Sequence, residues 1–90
     1  MSTSTARTGA DAISTDLIAF IARQTKQIVT VEMDLFGSGL VSSLFAMQLV
    51  VYVESTFGVA VRGPDLKLAN FRSVAAITEL VLRLRGDNGG

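Results

Sequence analysis

Apolar residues recur along this chain with the period of a helix, three times over. Leu17, Phe20, Ile21, Gln24 and Ile28 follow a 3.6-residue repeat in which Gln24 is the one polar member. Ser14 precedes them as a helix cap, Asp16 suits the first turn, and Ile13 and Ile18 sit at the spacing of a hydrophobic staple. The pattern predicts a first helix ending near Gln27. Ala46, Leu49, Val50, Val53 and Phe57 line one face of a second helix, and no helix breaker falls between Ser43 and Phe57. Gly58 stands where a C-cap glycine belongs. Phe71, Val74, Ile77, Val81 and Leu84, with Leu80 adjacent, supply the buried side of a last helix capped by Ser73. The closing "GDNGG" is expected to end that helix.

The connections are read by their breakers. "IVTV", residues 28–31, has β-branched strand character, but no second strand exists to pair with it, so it reads as extended loop. "MDLFGSGLVS" holds two glycines and two serines and is a loop whose Leu35, Phe36 and Leu40 should tuck into the core. The chain turns at Gly63-Pro64, and Asp65 to Ala69 can form one short helical turn. The expected fold is therefore all-α: a small bundle of three main helices plus a short turn, with a long first loop. Residues 1–10 read as a disordered tail, 11–85 as the domain and 86–90 as a second tail.

Composition narrows the function. Ninety residues suffice for one small domain, and 49% hydrophobic residues with a single proline argue against disorder. Eight acidic and eight basic residues balance, which removes the electrostatic case for nucleic acid or an anionic membrane. Cysteine and histidine are absent, so thiolate nucleophiles, the common zinc sites and imidazole bases are excluded. The most apolar run, Leu44 to Val53, is broken by Gln48 and is half the roughly 20 residues of a membrane span. "MSTSTARTGA" has no apolar stretch of a secretory signal. The expected setting is the cytoplasm, and the expected state a monomer.

The chemistry left concentrates in "GLVSSL", Gly39 to Leu44, where two serines meet the start of the second helix. One serine there is a common cap, worth about 1 kcal/mol. The wider pattern resembles an acyl carrier protein. Such proteins carry 4′-phosphopantetheine, taken from coenzyme A, on a serine that precedes leucine at the start of their second helix. Ser43 matches that serine, and Ser42 stands where the family usually has aspartate. "DLFGSG" is similar to the family's loop entry, "FGVAV" to the end of its second helix and "NFRSVAAI" to the start of its last, together spanning about residues 14 to 84. The resemblance implies Ser43 as the attachment residue and Ser42 as the helix cap. It implies a non-catalytic carrier served by a phosphopantetheinyl transferase.

A narrower resemblance, carried by "SLFAMQLVVYVESTFG" and "DLKLANFRSV", is to discrete carriers of polyketide pathways that hold a glyceryl unit. It implies a three-carbon cargo that becomes a methoxymalonyl or hydroxymalonyl extender, or feeds a tetronate ring. The implied partners are a glyceryl transferase/phosphatase or other loading enzyme, dehydrogenases, an O-methyltransferase, and an acyltransferase or ketosynthase. An aminoacyl cargo, D-alanyl or peptidyl, and an unmodified helical adaptor are the alternatives; an esterase built on Ser43 would lack its base. The family's second helix is usually strongly acidic. Here its face opposite the core holds Leu44, Met47, Gln48, Val51, Glu54 and Ser55, with one acid, which predicts a partner surface of low charge.

Overall fold

A computed structural model describes residues 9–89. Helix α1 runs Ala10–Thr25, α2 Ser43–Phe57 and α3 Val74–Gly89; two single 3₁₀ turns, Gly63–Asp65 and Leu68–Phe71, lie between α2 and α3. No strand occurs among the described residues, and 28–31 are irregular, as the pattern predicts. α1 packs chiefly on α3, and α3 packs also on the 68–71 turn. The core is Ile13, Leu17 and Ile21 of α1, Leu49 and Val53 of α2, and Val74, Ile77, Leu80 and Val81 of α3, closed by Leu35, Val41, Val61 and Phe71 from the connections.

α1 begins a turn earlier than expected, so Ser14 does not cap it. Ala10, Asp11 and Ala12 tolerate helix well, and Asp11 offsets the helix dipole in the first turn, so the helix propagates back to Gly9. Ser14 lies inside the helix, and its hydroxyl meets Thr78 Oγ1 at 3.0 Å. Thr78 is the one buried polar side chain among the described residues, and Ser14 satisfies it. Ile13 is accordingly a core residue and not part of a staple. At the other end Lys26 adopts the left-handed conformation, φ 61°, and its N–H bonds Ala22 O at 2.7 Å. That reversal throws Ile28 out to 85% exposure, against its expected place on the buried stripe, and brings Val29 in instead.

The long loop from 26 to 42 is tied down at several points. Asp34 Oδ1 accepts from Gly37 N–H at 2.8 Å, and any Cβ on Gly37 would collide with that carboxylate. Leu35 N–H donates to Arg72 O at 2.7 Å while the Leu35 side chain is fully buried. Phe36 and Leu40 pack on the core edge. Val31 O accepts from Ala75 N–H at 3.0 Å, which anchors the loop to the start of α3.

The segment after α2 forms two short turns where one was expected. Pro64 fixes φ at the front of the first turn, after Gly63 at φ 56°, and Lys67 is extended, which separates the two. Asn70 Nδ2 donates to Asp65 O at 2.8 Å, and Arg83 pairs with Asp65 at 3.0 Å. Ser73 Oγ accepts from Ala76 N–H at 3.1 Å, the cap that the sequence indicates. α3 continues to Gly89, beyond the stop expected from "GDNGG". The expected tail over residues 1–10 lies outside the described residues except for Gly9 and Ala10, and Ala10 is helical.

Candidate functional site

Ser42 has extended backbone, φ −93° and ψ 169°, and its Oγ accepts from Phe45 N–H at 3.2 Å. Its carbonyl accepts from Ala46 N–H at 2.9 Å. Ser42 is therefore the cap of α2, and its hydroxyl is committed to the backbone. Ser43 is the first helical residue. It is exposed, and no hydrogen bond within the described chain engages its hydroxyl. Two neighbouring residues of one chemical type are thus sorted by backbone geometry into a structural hydroxyl and a free one.

The surroundings favour an anion on the free one. The N–H groups of Ser43 and Leu44 have no acceptor among the described residues, and they sit at the positive end of a fifteen-residue helix. A phosphodiester at Ser43 Oγ would meet those donors, a gain of roughly 0.3–1 kcal/mol at an exposed helix end. Gly39, at φ 82°, leaves open space where a side chain would stand. A modifying enzyme can therefore approach the helix start.

Two clefts flank this point. On one side a groove of about 200 Å³ runs from Ser43 past Met47 and Val50 to Leu66, Leu68 and Phe71. On the other, a cleft of about 460 Å³ lies between the end of α1 and the start of α2, with Gln24, Gln27, Gly39, Phe45 and Gln48 in its walls. The exposed apolar residues Leu44, Met47 and Val51, at 76%, 61% and 60% exposure, project from α2 together with Gln48. Leu66 and Leu68 extend the apolar surface from the connection. The helical pattern does not place Leu66 or Leu68 on this surface; the alternation of leucine with Lys67 in "DLKLAN" is the signal for both.

Glu54 differs from the other members of that surface. It is half-buried, and its Oε2 accepts from Val61 N–H at 2.8 Å. The one acid of α2 therefore clamps the outgoing loop. On the far side of α2, Tyr52 stacks on Phe20 at 4.0 Å and donates to Asp16 O at 3.2 Å. Burial, and then the Asp16 carboxylate, push the Tyr52 phenol above its ordinary value, partly offset by Thr56 and Arg23.

The three-helix bundle thus presents an exposed serine, with no hydrogen-bond partner among the described residues, at the first position of a capped helix. Residues 15–81 match the phosphopantetheine attachment site family, and the chain belongs to that family. No curated protein matches the chain closely enough to narrow this. The chain is thus a carrier that bears a covalent 4′-phosphopantetheine arm and leaves bond-making to others. It works with a phosphopantetheinyl transferase and with enzymes that load and process the arm's cargo. The residues at the start of α2 fit that group: a free hydroxyl, two unpaired N–H donors and an open approach. No helix among the described residues is long and apolar enough to cross a membrane.

Proposed function

We propose that Ser43 is the attachment residue and that the arm carries a glyceryl-derived three-carbon unit in polyketide biosynthesis. The observation that carries the first part is the division of labour between Ser42 Oγ, held by Phe45 N–H, and Ser43 Oγ, which is free. In the attachment step Ser43 Oγ bonds to the phosphorus next to the pantetheine of coenzyme A. The pyrophosphate P–O bond breaks, 3′,5′-ADP leaves, and the hydroxyl proton passes to the transferase. The bound group supplies the thiol that holds cargo as a thioester. The chain's own residues would hold it: Ser42 fixes the helix start, and the amides of Ser43 and Leu44, at the N-terminus of α2, would offer donors to the phosphodiester.

The cargo reading rests on the likeness of "SLFAMQLVVYVESTFG" and "DLKLANFRSV" to glyceryl carriers. The unit would leave as a methoxymalonyl or hydroxymalonyl extender, or as a tetronate precursor. Leu44, Met47, Gln48 and Val51 are the surface by which the glyceryl transferase, dehydrogenases, O-methyltransferase and acyltransferase or ketosynthase would engage a monomeric, cytoplasmic carrier. Loading tests this. The phosphopantetheinylated protein is offered to a glyceryl transferase with a bisphosphoglycerate, and in parallel to an adenylating enzyme with D-alanine or other amino acids. Intact-mass gain of a glyceryl group is expected. Efficient aminoacylation with no glyceryl transfer would overturn the cargo reading.

A further inference from the structure

Two polar residues interrupt apolar patterns in this chain. Gln24 is the polar member of the α1 stripe, and Gln48 breaks the most apolar run of α2. Those interruptions lie far apart in sequence, yet the fold brings them into one cleft, with Gln27 from the start of the loop. Each carboxamide offers two donors and an acceptor. No hydrogen bond within the described chain engages any of the three. The hydroxyls of the cleft are partly engaged, since Thr25 Oγ1 donates to Ile21 O at 2.8 Å and Ser42 Oγ accepts from Phe45 N–H. Among the described residues, no charged side chain lines the cleft. Its chemistry therefore suits a neutral, hydroxyl-bearing group, which needs donors and acceptors together and gains nothing from an ion.

Position adds to chemistry. The cleft begins at Ser42, one residue from Ser43, and a pantetheine arm is about as long as five residues of extended chain, roughly 17 Å. An arm on Ser43 can reach any point of it. The groove on the opposite side of Ser43 is smaller and mostly apolar, lined by Met47, Leu66 and Leu68 with Lys67 as its charged member, and it offers a hydroxylated group fewer neutral partners. Aliphatic and hydroxylated cargoes thus have different places to lie.

We propose that the cleft formed by Gln24, Gln27 and Gln48 is a docking site for a short hydroxylated acyl group carried on this protein's own arm. The inference rests on Ser43 as the attachment residue but not on which enzyme loads it. The test uses the full chain, labelled with ¹⁵N and modified by a broad-range phosphopantetheinyl transferase. Coenzyme A, glyceryl-coenzyme A and butyryl-coenzyme A are used in turn. Relative to the unloaded arm, the glyceryl cargo should move the side-chain amide signals of Gln24, Gln27 and Gln48 and the backbone signal of Gly39. Butyryl should leave these in place and move Met47, Leu66 and Leu68. The double variant Gln24→Ala/Gln27→Ala, at two exposed positions outside the partner-facing surface of α2, should accept the arm equally and lose the glyceryl-specific shift at Gly39. Its glyceryl thioester should be cleaved by hydroxylamine about two- to threefold faster than in the parent chain, the effect of losing weak exposed hydrogen bonds. Glyceryl shifts at Met47 and Leu68 in place of the cleft, or a Gly39 shift unchanged in the double variant, would overturn the proposal while leaving Ser43 as carrier. No adduct on Ser43 would overturn the attachment reading and this inference with it.

Discussion

A hydroxyl at a helix cap and a hydroxyl one residue later answer to different demands of the backbone. The cap must fold back to an orphan N–H, and Ser42 does so with Phe45. The next residue has helical backbone and owes nothing to the helix, which leaves Ser43 free for chemistry. Ser42→Ala should therefore lower stability by about 0.5–2 kcal/mol, and Ser42→Asp should match or exceed the parent, since the acid caps and gains from the dipole. Urea midpoints of the three chains check this; equal midpoints for Ser42→Ala and the parent would contradict the capping role. The roles of Ser42 and Ser73 were legible in the sequence because a cap bonds within three residues of itself. Ser14 was misread as a cap for the opposite reason: its partner, Thr78, is 64 residues away, and a contact of that range leaves no local mark.

At the scale of elements, α2 was legible at both ends, since Ser42 and Gly58 are strong local stops. The end of α1 was not, because a lysine in left-handed conformation carries no compositional signal. Nor were the paired 3₁₀ turns, which depend on Asn70 and Arg83 reaching back to Asp65. The outward face of α2 is apolar at Leu44, Met47 and Val51, while Glu54 serves the loop. Partner enzymes should then grip this helix by apolar contact, which salt does not screen. Loading by a cognate enzyme should change little from low to moderate sodium chloride, and Met47→Ala and Val51→Ala should each slow it at subsaturating carrier, by about fivefold or more if either is a hot spot. Glu54→Gln should act on stability instead, by about 0.5–1.5 kcal/mol through the weakened bond to Val61 N–H. A steep salt dependence, with Glu54→Gln the slowest variant, would contradict this division.

Tyr52 joins α2 to α1 by its stack on Phe20 and its bond to Asp16 O. Its raised native value means that the fold favours the neutral phenol. That contribution is whole below the unfolded value, about pH 10, and is lost as pH rises through the native one. Tyr52→Phe should therefore flatten the alkaline fall of stability relative to the parent chain, as read from thermal midpoints between neutral and strongly alkaline pH. An identical fall in both chains would show that other groups cause it.

The molecule as a whole joins a closed core to an exposed serine, the proposed point of attachment. Leu49, Val53 and Val74 are fully buried, so a small polar cargo has no reason to enter among them. Burying its hydroxyls there without partners would cost roughly 1–3 kcal/mol each. Amide signals of those three residues should stay fixed when the arm is loaded with glyceryl; large shifts there would mean that cargo enters the bundle. A tethered cargo at the surface gains from proximity to each partner in turn, which is what a carrier supplies. The fold class was readable from helical periodicity, and the cap at Ser42 from its place at the start of the second apolar run. The two clefts were not, since each is assembled from segments that meet only in the folded chain. The central claim, that Ser43 alone bears the arm, is tested most directly by incubating the chain with coenzyme A and a broad-range phosphopantetheinyl transferase and mapping the product by tandem mass spectrometry. A single phosphopantetheine on Ser43, absent from a Ser43→Ala chain that folds normally, is the predicted result. An adduct on Ser42, or none under conditions that modify a control carrier, would contradict it.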